Sequence, residues 1–197
     1  MSTPETNVWT AVTARNPDHS ANYAERWRNL ERMGRDIHGE ARLVDAMVER
    51  GARILDAGCG TGRVGGYLAR RGHQVVGVDL DPYLIDVART DHPLAQWHVG
   101  NLAEFTLDGA EFDHIVSAGN VMTFLAGSER IPALRRLGEH LAPGGRMTIG
   151  FGAGRGYEFA QFEDDLAEAG LAMQSRFSSW QLDPPSEDFL IAVIIAR

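Results

Sequence analysis

The sequence predicts an α/β fold: a mostly parallel seven-stranded sheet packed between helices and ending in an antiparallel hairpin. Three observations lead there. From about residue 40, short apolar runs alternate with amphipathic stretches, the pattern of strands joined by right-handed crossover helices. Glycines and an Asp81-Pro82 pair fall where strands should end and helices begin. The last two apolar runs are separated only by a polar turn, so no crossover joins them and they should pair antiparallel.

Each element has its own signal. Tyr23, Trp27 and Leu30 fit a helix ahead of the first strand, placed to fold over the open end of the sheet. Leu43, Val44, Met47 and Val48 recur at helical spacing. Arg53–Ala57 reads as a short buried strand broken by Gly58. Val64, Tyr67 and Leu68 share one face of the next helix, and 75–79 is a second strand. Asp81 caps a helix whose apolar stripe is Leu84, Ile85 and Ala88. Residues 95–99 form a weaker third strand and 112–118 a fourth. Ser128 is expected to cap a helix with stripe Ile131, Leu134, Leu137 and Leu141, and Pro143-Gly144-Gly145 to end it. Residues 146–151 form a fifth strand, and Phe159, Phe162 and Leu166 mark another helix. Residues 171–180 and Phe189–Ala196 close the sheet around Pro184-Pro185. The chain reads as one domain, with a helical lid over residues 1–40 and a core over 41–197.

Bulk properties narrow the function. The 197 residues carry a net charge of −8, which repels polyphosphate chains and argues against a nucleic-acid partner. Cys59 is the single cysteine, so there is neither a disulfide framework nor a Cys-rich metal site. The first six residues are polar and lack a signal-peptide pattern. The longest apolar run, Phe189–Ala196, has eight residues, against about 20 for a membrane span. A cytoplasmic protein without membrane contact is expected. The seven histidines show no convincing ligand spacing, so no metal site is expected. The chain contains no lysine, which removes Schiff-base chemistry.

The chemistry concentrates at strand ends, where open parallel sheets bind ligands. Asp56-Ala57-Gly58-Cys59-Gly60-Thr61-Gly62 follows the first strand, and its alternating glycines allow a tight turn and close approach to a ligand. Gly60-Thr61-Gly62-Arg63-Val64-Gly65 also matches the dinucleotide pattern G-x-G-x-x-G. Asp79, ending the second strand, suits a ribose in either a dinucleotide or another adenosine cofactor. Asp56 separates the two: a carboxylate there opposes a pyrophosphate but suits the ammonium and sulfonium of S-adenosylmethionine.

These residues resemble the motifs of class I S-adenosylmethionine-dependent methyltransferases. Ile54 to Gly62 is similar to their first motif, Val78-Asp79-Leu80-Asp81 to the second-strand motif, and Gly100-Asn101-Leu102 to the segment after strand three. Asn101 departs from the usual aspartate there. Phe112 to Val116 resembles strand four, and Leu141 to Gly145 the turn before strand five. The compact build is similar to small members of the tellurite-resistance and ubiquinone-biosynthesis type. The resemblance implies a Rossmann-like three-layer sandwich with S-adenosyl-L-methionine as cofactor. It also implies roles: Gly58, Cys59, Gly60 and Gly62 hold the methionine part, and Asp56 balances its ammonium directly or through water. Asp79 accepts the ribose hydroxyls, Leu80 packs on the adenine, and Asn101 with Leu102 meets its edge. Ala118 and Gly119 offer carbonyls near the ammonium, and Tyr23 closes over the cofactor.

Methyl transfer needs alignment and exclusion of water more than specialised catalytic residues, so no catalytic residue is assigned. An acceptor of high pKa needs a base, for which His19 and His38 are the best placed, while His114 should be packed inside its strand. The segment after strand four, Ser117 to Phe124, lacks the Asn-Pro-Pro-Tyr type sequence of many enzymes that methylate base amines. A small-molecule acceptor is expected, for a monomer or homodimer. The alternative is a cofactor-binding module or sensor of the same fold without transferase activity. A nicotinamide oxidoreductase is disfavoured by the absence of any Tyr-x-x-x-Lys pattern.

Overall fold

The computed structural model describes residues 6–197, so the first five residues of the polar N-terminal segment lie outside the described residues. Helices α1 (Val8–Arg15), α2 (His19–Arg32) and α3 (Gly39–Met47) precede the sheet. Then follow β1 (Arg53–Ala57), α4 (Arg63–Arg70), β2 (Gln74–Asp79), α5 (Pro82–Asp91), β3 (Gln96–Val99) and β4 (Phe112–Ser117). The rest comprises α6 (Val121–Phe124), α7 (Gly127–Glu139), β5 (Leu141–Gly152), α8 (Phe159–Glu168), β6 (Leu171–Phe177) and β7 (Phe189–Ala196). The seven strands form one sheet in the order β3-β2-β1-β4-β5-β7-β6. All neighbours are parallel except β7, which runs antiparallel to both β5 and β6. This is the Rossmann-like mixed sheet that the resemblance implies.

Strand pleating explains the layers. Successive residues face opposite sides of the sheet. Ile54 and Val116 enter one core with Val44, Val64 and Leu68 from α3 and α4. Leu55 and Ile115, their neighbours in sequence, enter the other core with Leu134 and Leu137 of α7 and Phe162 of α8. Strand β7 has five consecutive buried residues, with Leu190, Ala192 and Ile194 in the core under α7 and α8, and burial of both its faces accounts for its unbroken apolar run. It inserts between β5 and β6 rather than ending the sheet.

Some local expectations are corrected. Helix α7 starts at Gly127 with Ala126 as its cap, so Ser128 lies in the first turn and caps nothing. Glu129 reaches back to accept from the Ala126 amide at 2.9 Å. That helix stops at Glu139, and Pro143-Gly144-Gly145 lies within β5. Phe112 pairs with Leu141 and His114 with Arg146, so the intervening residues loop out of the ladder. Strand β6 ends at Phe177, short of Trp180. Helix α1 has weak apolar periodicity and no buried residue, and its local signal is the Asn7 cap, whose side chain accepts from the Trp9 amide. Among the described residues no helix is long and apolar enough to cross a membrane.

Candidate functional site

From β1 the chain moves outward through β2 to β3, then returns across β1 to β4. The carboxyl ends of β1 and β4 therefore border a crevice at the point where strand order reverses. A cavity of roughly 610 Å3 lies there, within the roughly 300–1,000 Å3 of small-molecule pockets.

The loop after β1 forms its floor. The Gly58 and Cys59 amides both donate to the Val78 carbonyl, at 2.8 and 3.1 Å. Gly58 has φ +76°, and a Cβ there would lie 2.4 Å from Val121. Gly62 also has φ +76°, and a Cβ would lie 2.8 Å from the Trp97 ring. Glycine is required at both positions by conformation and by contact.

Asp79 holds this loop against β2. One carboxylate oxygen accepts from the Gly60 amide at 2.8 Å, the other from the Asp81 amide at 2.9 Å. Burial pushes its pKa up to about 6, against the pull of those amides. Asp81 caps α5 by accepting from the Tyr83 amide at 2.9 Å. Its other oxygen accepts from the Trp9 indole at 2.8 Å and from the Ser20 hydroxyl. Helices α1 and α2 are thus fastened to the residue two beyond Asp79. Arg28 on α2 adds an ion pair to Asp91 at 2.9 Å.

Glu129 makes a second anchor. It accepts from the Asn101 side-chain amide at 2.8 Å and from the Asn7 amide at 3.0 Å. The Asn101 carbonyl oxygen accepts from the Ala103 amide at 2.9 Å. Trp9 packs edge-on against Tyr23 and Phe124, with centroids 5.3 and 5.7 Å away. Asn120, after β4, has φ +68°, an uncommon conformation for a non-glycine residue and one that asparagine tolerates best. Its side chain is fixed by the Gly152 amide at 2.8 Å.

Of the residues predicted for the site, Tyr23, Gly58, Gly60, Asp79 and Leu80 line this cavity. So do Asn101, Leu102, Ala118 and Gly119. Asp56, Cys59 and Gly62 are not among its lining residues. Asp56 is 2% exposed and accepts from the Gly65 amide at 2.8 Å. It thereby caps α4, whose own cap Gly62 has no side chain to do so. Burial pushes its pKa up to about 7. Cys59 packs with Ile85, Ala88 and Trp97, and burial pushes its thiol well up. His19 lines the cavity, whereas His38 borders a different one, of roughly 450 Å3, beside Arg70 and His92. His114 is 1% exposed and held 3.0 Å from the Thr148 hydroxyl. Burial lowers its pKa to about 4. Trp9, Asn120 and Glu129 were missed. None carried a local signal: the residue three before Glu129 is Ala126, which has no polar side chain to announce a cap.

The comparisons with known proteins agree with this geometry. A family model described as a methyltransferase domain matches residues 54–145. A TehB-like SAM-dependent methyltransferase from Corynebacterium glutamicum superposes with a TM-score of 0.89 at 54% identity, covering 92% of this chain and 100% of that one. Magnesium-protoporphyrin O-methyltransferase of Rhodobacter capsulatus is 38% identical over 107 residues, 50% of this chain and 46% of that protein. A dTDP-3-amino-3,6-dideoxy-alpha-D-glucopyranose N,N-dimethyltransferase of Streptomyces fradiae is 31% identical over 138 residues, 67% of this chain and 54% of that protein. The chain spans about half the length of these curated relatives. Sequence motifs, sheet order and the near full-length likeness converge: the chain belongs to the class I S-adenosylmethionine-dependent methyltransferases.

Proposed function

We propose that the protein transfers a methyl group from S-adenosylmethionine to a small-molecule acceptor. The observation that carries this is one cavity lined by Gly58, Gly60 and Asp79 and by the aromatic residues Trp9, Tyr23 and Trp27 of α1 and α2. The donor supplies an electrophilic methyl on a sulfonium, so an in-line nucleophile suffices.

The residues present fit such a donor. Asp79 has lone pairs left after its two amide bonds to accept a pair of ribose hydroxyls. Leu80 and Leu102 offer apolar surface to the adenine. Asn101 keeps one amide hydrogen and one lone pair for the adenine edge, because Glu129 and Ala103 take the others. Ala118 and Gly119 present backbone carbonyls toward the ammonium. Asp56 acts by positioning the loop through α4, and Cys59 and Gly62 contribute through packing and turn geometry. Helices α1 and α2 serve as the lid, with Tyr23 and Trp9 excluding water. His19 is the base available to take an acceptor proton.

The test is transfer of a radiolabelled methyl group to a panel of small acceptors containing amines, phenols, thiols and acids. Turnover of at least one acceptor is expected. A protein that binds S-adenosylhomocysteine but methylates none of them would instead be a cofactor-binding module.

A further inference from the structure

The far end of the cavity lies at the end of β5, away from Asp79. Gly150 and Gly152 are two apart and so expose the same bare face of that strand. A Cβ on Gly150 would lie 2.6 Å from the Trp180 ring, so the indole rests directly on the strand. A Cβ on Gly152 would lie 3.4 Å from Arg155 Nε, 3.5 Å from the Phe189 ring and 3.6 Å from Asn120 Oδ1. Arg155, Phe189 and Asn120 therefore meet over Gly152, and all of them line the cavity with Trp180.

This end is rich in donors without acceptors. Among the described residues the Arg155 guanidinium makes no hydrogen bond or ion pair, and neither the Asn120 Nδ2 nor the Trp180 indole N–H has a partner. The acids that line the cavity are committed elsewhere. Glu40 pairs with Arg63 at 2.7 Å, and Asp79 accepts from Gly60 and Asp81. A guanidinium, an amide N–H and an indole N–H beside two aromatic rings fit an oxyanion attached to a flat apolar body.

We propose that this end is the acceptor subsite and that the acceptor is a small planar acid. Arg155 grips its carboxylate or phosphate with help from Asn120, and its body lies against Trp180 and Phe189. The inference rests on the methyltransferase reading above and names the substrate class for that site. Arg155 sits between Gly154 and Gly156, both at positive φ, a backbone conformation that glycine adopts without strain.

The test uses the full chain saturated with S-adenosylhomocysteine. Calorimetric titrations with benzoate and with phenyl phosphate are compared with neutral benzamide. At least one acid should bind tenfold or more tightly than benzamide, and which one does separates a carboxylate from a phosphate acceptor. Added salt should weaken that binding. Arg155 is exposed and unpaired, so R155Q should fold normally. It should abolish the preference for acids, R155K should restore part of it, and S-adenosylhomocysteine affinity should stay within twofold of the wild type. Equal binding of acids and benzamide, or an undiminished preference in R155Q, would overturn the acceptor assignment alone. Failure of S-adenosylhomocysteine itself to bind would remove the methyltransferase reading, and this inference with it.

Discussion

Replacing Asp79 probes the site where the loop after β1 is held against β2. The carboxylate already holds the Gly60 and Asp81 amides at 2.8 and 2.9 Å, and its remaining lone pairs face two ribose hydroxyls in the proposed complex. A charge-assisted hydrogen bond contributes about 1.5–3 kcal/mol. In D79A water can enter and satisfy part of what is lost, so the net loss should be near one such bond rather than two. Affinity for S-adenosylhomocysteine should therefore drop roughly 10- to 150-fold. D79A also strips two backbone amides of their acceptor, so its melting temperature should fall. D79N keeps the shape and one acceptor oxygen, and should lose affinity with a smaller loss of stability. The assay is isothermal titration of the three proteins alongside thermal unfolding. Affinity in D79A equal to the wild type would refute the role given to Asp79.

The same residue makes a pH prediction. Its pKa is raised to about 6, and the ionised form is the better acceptor for two hydroxyls. Affinity should be full at pH 7–8 and fall as pH drops through about 6, while D79N shows no such dependence over this range. A difference between the two proteins that does not vary with pH would contradict the assignment.

Other predictions follow from the fold. G62A meets both a left-handed φ and the Trp97 ring 2.8 Å away, so it should destabilise by about 2–5 kcal/mol in urea unfolding. G144A has φ +77° but open space around it and should cost only about 1–2 kcal/mol; equal losses would discount the Trp97 contact. W9F removes the indole bond to Asp81, worth about 1.5–3 kcal/mol, and amide exchange across α1 should accelerate. Unchanged exchange would show that this bond does not fasten the lid. Asp56, raised to about 7 by burial, is protonated in the fold and ionised in the unfolded chain between roughly pH 4 and 7. Its stabilising contribution is present below about pH 4 and lost as pH rises through 7, so the wild type should lose stability relative to D56N between about pH 4 and 7 and the gap should level off above that. A gap that stays constant would discount the burial of Asp56.

The parts of the fold that were legible are those with local causes. Strand β1 and its glycine loop announce themselves because β1 is buried on both faces and Gly58 and Gly62 tolerate no side chain. The Asp81 cap of α5 is a local signal too. What stayed hidden depends on long-range partners. Helix α1 lacks a buried stripe and is held by Trp9 and Asn7 reaching Asp81 and Glu129, 72 and 122 residues away. Asp56 reads as a cavity residue from its place before the loop, yet its side chain turns to the Gly65 amide behind it. Side-chain direction at a strand end follows from which core the residue faces, and sequence order alone does not supply that. Trp180 looked like the end of a strand, but the chain leaves β6 after Phe177 and lays the indole on Gly150.

The most direct test of the central claim is calorimetric titration of the purified protein with S-adenosylhomocysteine, with NADH as the parallel control. Saturable micromolar binding of S-adenosylhomocysteine and none of NADH is the predicted result. A folded sample that binds NADH, or that fails to bind S-adenosylhomocysteine, would contradict the account of this cavity as a methyl-donor site.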